Sequence, residues 1–274
     1  MPKGSRDFLD YTELSSYVRC KRLWYYRHWM DIVPIRTPVA LLFGQHIHAA
    51  LNEMYENGFS LDAALDYWNK ITLPSDTVRT KLLGERILSA YHEHYKNQQI
   101  KVLHSEVSWA LPYADVVFGG RMDRIVSWYD DIYVMDHKTT TQLGSTYFNQ
   151  YDPHFQLAIY VRAAKEYFPN TIGAMVDAIF VGKNQRFRRD VVEFTKTSYL
   201  ESLFQDAVRH ARDLLWTRRL LSKTDDPSLC PRSCIPEACA AWGGCPYREL
   251  CRTDVDSRVL EVMYRKEEWA CPGV

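Results

Sequence analysis

The chain has 274 residues, 46% hydrophobic and 25% charged, which is enough apolar side chain for a substantial core and excludes a disordered or low-complexity protein. Lys and Arg balance Asp and Glu at 34 each, so a nucleic-acid partner must be recognised by local basic patches and not by overall charge. No run is apolar enough to cross a membrane and MPKGSRDFLDYTEL lacks a signal core, so a cytoplasmic location is expected, where seven cysteines read as metal ligands or buried thiols.

In chain order, residues 12–29 read as one helix, with Ser15 and Ser16 as capping groups and Leu14, Val18, Trp24, Tyr25 and Trp29 as its apolar surface. Arg19, Lys21, Arg22 and Arg27 interleave with Trp24, Tyr25 and Tyr26. That composition fits either a base-stacking, phosphate-binding surface or an aromatic core helix with a solvated basic face. Cys20 lies in its middle. Pro38 opens a helix that runs to about Asn57 and stops at Gly58, with Leu41, Gly44, His48, Leu51 and Tyr55 on one stripe and His46 on another face. Residues 61–70 and 76–96 are helical by pattern, capped by Ser60 and Ser75 and separated by Pro74. This pair is read as a helical insertion, residues 58–100.

The sheet is predicted to begin with residues 102–111, a strand holding Glu106, and Pro112 and Tyr113 turn it into a hairpin. Two strands, 118–128 and 132–138, are joined at Asp130-Asp131. The period of two puts Asp136 and Lys138 on one face, and Asp123 on the preceding strand is close enough across the ladder to join them. A helix over 147–168 carries Gln156 and Tyr160 one turn apart. Strands at 174–181 and 188–194 flank the basic turn GKNQR, and 198–221 is an amphipathic helix with Leu200, Phe204, Val208, Leu215 and Trp216 inside and Arg209, Arg212, Arg218 and Arg219 outside. This order predicts an α/β protein with one central mixed sheet flanked by helices.

Asp123 and Asp136 offer carboxylate oxygens to a hard cation, and His48 adds an imidazole that Mn²⁺ accepts well. Such an open site suits metal-assisted phosphodiester hydrolysis, with Lys138 as a point charge beside the ion. The motifs G-x-x-x-H at Gly44 to His48, G-R-x-D-R at Gly120 to Arg124, D-x-K-T at Asp136 to Thr139 and Q-x-x-x-Y at Gln156 to Tyr160 together resemble the PD-(D/E)XK nuclease superfamily. Their order and spacing are similar to its RecB-like branch, which includes CRISPR-adaptation nucleases and phage exonucleases. The resemblance implies a restriction-endonuclease-like core and a single nuclease domain over 1–274. It further implies that His48, Asp123, Asp136 and the carbonyl of His137 hold Mn²⁺ or Mg²⁺, that Lys138 is the catalytic lysine, and that Gln156 and Tyr160 support the site and contact DNA. Glu106 matches an acid found before the hairpin.

The branch often carries a 4Fe-4S cluster, and by resemblance Cys20, Cys239, Cys245 and Cys251 would hold it as a C-terminal staple over residues 230–251. Lys21 stands where a proline is usual, and Cys230 or Cys234 could replace Cys239. Four thiolates also suit zinc. The function expected is a metal-dependent DNA exonuclease acting on single-stranded ends in recombination, repair or mobile-element and phage DNA processing. The alternative is a non-catalytic or partner-activated DNA-binding module with a structural zinc or iron-sulfur site. No phosphate-binding Gly-rich loop accompanies the motifs, so a motor would come from a helicase partner, or the chain would act with an integrase. Arg186, Arg188, Arg189 and the helix from Arg19 to Arg27 are the first candidates for DNA contact.

Overall fold

The computed structural model describes residues 8–240, 244–253 and 255–267. Helices α1 (Tyr11–Arg19) and α2 (Lys21–Trp24) lead through a π-helical turn to the short strand β1 (Ile32–Pro34). Helices α3 (Val39–Glu56), α4 (Leu61–Lys70) and α5 (Lys81–Tyr95) precede strands β2 (Ile100–Tyr113), β3 (Val116–Trp128) and β4 (Asp131–Thr140). A 3-10 turn at Tyr147–Tyr151 and helix α6 (Phe155–Ala164) lead to β5 (Thr171–Phe180), β6 (Phe187–Glu193) and the long α7 (Thr197–Thr224). The tail adds α8 (Pro236–Ala240), α9 (Arg248–Arg252), α10 (Ser257–Met263) and β7 (Tyr264–Lys266), which pairs antiparallel with β1.

Among the described residues, the main sheet has five strands in the order β2-β3-β4-β5-β6. β4 and β5 are parallel, with α6 in the crossover, whereas β3·β4 and β5·β6 are antiparallel. This is the mixed sheet flanked by helices expected of a restriction-endonuclease-like core. No helix among the described residues is long and apolar enough to cross a membrane.

The chain divides into two compact units, residues 1–36 with 110–120 and 205–274, and residues 37–109 with 121–204. In the second unit α3, α4 and α5 share a core in which Phe43, Met54, Trp68, Ile87 and Leu88 meet Ile179 of β5. Trp68 is fully buried, and its indole N–H donates to the Lys81 carbonyl at 3.0 Å. A Cβ on Gly84 would fall 1.9 Å from the Trp68 ring, so a glycine is what lets α5 approach. In the first unit Tyr17 bonds Thr217 at 2.7 Å and Asp213 at 2.9 Å, while buried Glu13 accepts from the Trp24 indole at 2.9 Å and pairs with Arg218.

Several boundaries differ from the sequence expectation for identifiable reasons. The 12–29 helix breaks at Cys20, whose φ of −165° is extended, and its N-cap is Asp10, which accepts from the Glu13 N–H. Val18 is exposed. The helix expected from Asp76 starts at Lys81, capped by Thr80 and not by Ser75, because the Asp76 carboxylate accepts the N–H groups of Val78 and Arg79 and holds them in a turn. β2 runs on through Pro112, and the chain turns at Ala114 with φ 51°. The hairpin turn is Tyr129-Asp130, both in the left-handed region, one residue earlier than expected. The 147–168 helix is interrupted at Pro153, which lacks an N–H, and α6 itself begins at Phe155. On α7 Trp216 is exposed and Arg218 buried, the reverse of expectation, because Glu13 offers the guanidinium a carboxylate.

Candidate active site

The β3·β4 register runs from Trp128↔Asp131 to Arg124↔Met135, and the next residues on the two strands are Asp123 and Asp136. At that point a side chain enters the ladder: Asp123 Oδ2 accepts the His137 main-chain N–H at 2.9 Å. His48 Nδ1 lies 3.6 Å from the same oxygen. Helix α3 reaches this position because its glycine one turn earlier is bare; a Cβ on Gly44 would fall 2.8 Å from Thr139 Oγ1 of β4. The G-x-x-x-H spacing is therefore a packing requirement, glycine against Thr139 and histidine one turn on, beside Asp123.

Asp136 and Lys138 are two residues apart on β4, and Lys138 Nζ stands 2.6 Å from Asp136 Oδ2. The same ammonium donates to Gln156 Oε1 at 3.1 Å. Gln156 Nε2 in turn donates to Tyr160 OH at 3.2 Å, and that hydroxyl donates to the Arg121 carbonyl at 3.2 Å. Each donor fixes the next, so the amide oxygen of Gln156 must face Lys138. Glu106 pairs with Arg121 at 2.5 Å, anchoring the residue that ends this relay.

Charge is concentrated here in a partly buried setting. Burial and then the neighbouring Asp123 push the Asp136 carboxyl up, against Lys138, which favours its ionised form. Burial acts in the same sense on Asp123, but the His137 hydrogen bonds and the charges of His48 and His137 overcome it and hold that carboxyl well below the usual range. Burial lowers His48, and it takes His137 down to about 4 with help from Arg124. His154 just ahead of Gln156 is also lowered to about 4, by burial and then by the charge of Lys138.

His48, Asp123, Asp136, His137, Lys138, Gln156 and Tyr160 are thus brought together, all within the second unit, and Glu106 is linked to them through Arg121. The donor set, two carboxylates and an imidazole, fits a hard divalent cation. The raised Asp136 beside a second carboxylate is a place where a cation would relieve charge. Among the described residues, no three His, Cys, Asp or Glu side chains already stand in a ready coordination arrangement. His46 lies apart and bonds Tyr67 OH at 3.0 Å.

Arg189 is an expected DNA contact, but its side chain is only 12% exposed and turned inward, 2.9 Å from Asp177 and 3.6 Å over the Tyr95 ring. Trp24, Tyr25 and Tyr26 are buried, so they offer no stacking surface. Arg19 donates to the Ala238 carbonyl and Lys21 to Asp213, so these cations serve their own unit. Arg186 and Arg188 are exposed and stack on Phe180 and Phe148 at 4.2 and 4.7 Å. Asp177 carries no motif signal for the role it takes, beyond being a charged residue inside an apolar run, and Arg124 closes the G-R-x-D-R motif without that motif giving it a role of its own. In the first unit Cys20, Cys239, Cys245 and Cys251 are half-buried, and the Cys245 N–H donates to the Cys239 carbonyl at 2.8 Å. Burial raises the Cys251 thiol, then Cys20 adds to it; burial raises Cys245, and Cys251 and Cys239 add to that. Cys230 is fully buried with its thiol pushed up to about 11, and Cys234 is exposed.

A family model described as the PD-(D/E)XK nuclease superfamily matches residues 9–252. A candidate exonuclease from Eubacterium rectale has a similar solved structure, with TM-score 0.50, 13% identity, and 85% of this chain and 86% of that one covered. The protein SSO0001 matches at TM-score 0.28 and 14% identity over 72% of this chain and 84% of that one, too distant in shape to carry an argument. No curated protein sequence matches significantly. The family match spans the sheet, the fork at Asp123 and Asp136 and the α6 relay, and the chain belongs to the PD-(D/E)XK nuclease superfamily, a superfamily of metal-dependent nucleases.

Proposed function

We propose that the chain is a divalent-metal-dependent exonuclease that hydrolyses phosphodiester bonds at single-stranded DNA ends, in recombination, repair or the processing of mobile or phage DNA. The observation that carries the reading is the convergence of Asp123, Asp136, His48, Lys138 and Gln156 from separate elements at one fork. The similar fold of a candidate exonuclease agrees with it. His48, Asp123, Asp136 and the His137 carbonyl would hold Mn²⁺ or Mg²⁺. When bound, the ion lowers the pKa of water and neutralises charge developing on the phosphate. Lys138, held by Asp136 and Gln156, keeps a positive charge fixed beside the scissile phosphate. Gln156 and Tyr160 hold that ammonium in place and keep its acceptor correctly turned.

The test is incubation of purified protein with end-labelled single-stranded DNA, with Mn²⁺ or Mg²⁺ and with EDTA. Metal-dependent shortening from an end is expected, with Asp136→Ala and Lys138→Ala each losing on the order of 10²-fold or more in rate. Cleavage that persists in those variants would overturn the assignment of the site.

The proposal includes a cysteine-held cluster in the first unit. Burial and then Cys20 raise the Cys251 thiol, and Cys245 feels Cys251 and Cys239, so the four thiols of the expected set share one electrostatic neighbourhood. Cys230 also feels Cys20 and is the competing fourth ligand. Anaerobically purified protein should contain iron and inorganic sulfide, and chelation should destabilise the first unit; stoichiometric zinc without sulfide would replace the iron assignment.

A further inference from the structure

The His137 ring lies between two carboxylates, with Nδ1 3.5 Å from Asp123 Oδ2 and Nε2 3.4 Å from Asp177 Oδ2. The first belongs to the fork. The second belongs to a buried row that has no part in the roles above. Strand register builds this row: His137 pairs with Asp177 across parallel β4·β5, and Asp177 pairs with Arg189 across antiparallel β5·β6. Directly paired residues share a face of a sheet, so the three side chains stand in line across three strands.

Asp177 Oδ2 lies 2.9 Å from Arg189 Nη2 and accepts the Tyr91 hydroxyl at 2.5 Å. Arg189 is held in turn by the Tyr55 and Tyr91 hydroxyls, each at 2.8 Å. On the other side of the imidazole, Arg124 Nη1 is 3.1 Å from Nδ1. The same Nη1 lies 3.5 Å from Nε2, and the Tyr91 hydroxyl is 3.3 Å from that nitrogen, so both ring nitrogens face polar partners. Every edge of the ring is therefore specified. A buried ion pair adds little stability over apolar packing of the same volume, whereas a satisfied polar network fixes orientation.

We propose that Asp177 is a positioning residue for the metal site: with Tyr91 and Arg189 it holds the His137 ring, and through it the main-chain N–H that bonds Asp123 Oδ2. This rests on the metal-site reading given above. The tie is mechanical. Releasing the ring frees the β4 main chain at the point where Asp123 is anchored.

The test is calorimetric titration of DNA-free protein with Mn²⁺, alongside melting in EDTA. Asp177→Asn should weaken Mn²⁺ binding by about 10- to 100-fold, the usual effect of losing an outer partner of a ligand. Tyr91→Phe removes one hydroxyl from the row and should weaken binding several-fold, which keeps the test available if Asp177→Asn does not fold. Leu65→Ala, on α4, a helix that carries no residue of the row or the fork, should lower melting and leave Mn²⁺ affinity unchanged. Normal Mn²⁺ affinity in the row variants, or an equal loss in Leu65→Ala, would overturn the positioning role. Wild-type protein that binds no Mn²⁺ would overturn the metal site itself.

Discussion

Asp136 is only 4% exposed, between a second carboxylate and an ammonium, and its neighbour in sequence is an imidazole in an equally dry place. The His137 ring is kept neutral: burial, then Arg124, lowers it from its ordinary 6.5 to about 4. The sign of the consequence follows from linkage. The unfolded chain takes up this proton more readily, so the stabilisation is fully present above about 6.5 and is lost as the pH falls through about 4. At 1.36 kcal/mol per pKa unit the loss is about 3 kcal/mol. Urea unfolding of metal-free protein across that range should show falling stability, and His137→Gln should flatten the slope. An unchanged slope in the variant would assign the acid sensitivity to other groups.

At the scale of elements, two glycines make opposite use of the same freedom. A methyl at Gly84 would meet the Trp68 ring inside the α3–α5 core, so Gly84→Ala should cost about 1–3 kcal/mol of stability. A methyl at Gly44 would meet Thr139 and push α3 from β4, taking His48 with it. Gly44→Ala should therefore lose nuclease activity out of proportion to its loss of stability, measured by melting and by turnover. Proportionate losses in both variants would deny Gly44 its special position. Helices α3 and α4 were legible because their signals are local: Pro38 before the first turn, Ser60 at a cap whose hydroxyl accepts from Ala63, and Gly58 with φ 70° at a stop. The break at Cys20 has no glycine or proline to mark it. The hairpin turn places Tyr129 at φ 49°, a conformation that residue type does not announce.

At the scale of the whole molecule, four short motifs preserve their order across residues 44–160, and the fork they form could be read from the sequence because each motif is tied to its own element. The row behind it could not. His137 and Asp177 become partners only through the register of β4 and β5, strands joined by a helical crossover whose register no local pattern specifies, and Arg189 joins them from the neighbouring strand β6. Arg189 therefore read as a surface cation beside Arg188. The same applies to Arg218, whose burial depends on Glu13 some two hundred positions earlier. The central claim is that Asp123 and Asp136 owe their placement to one shared cation, with Lys138 useful because that cation is beside it. Anomalous difference density from a crystal soaked in Mn²⁺ tests this most directly. The account predicts a peak within coordination distance of His48, Asp123 and Asp136 that disappears in Asp136→Ala; a Mn²⁺ peak held by other residues, with the fork filled only by Lys138, would contradict it.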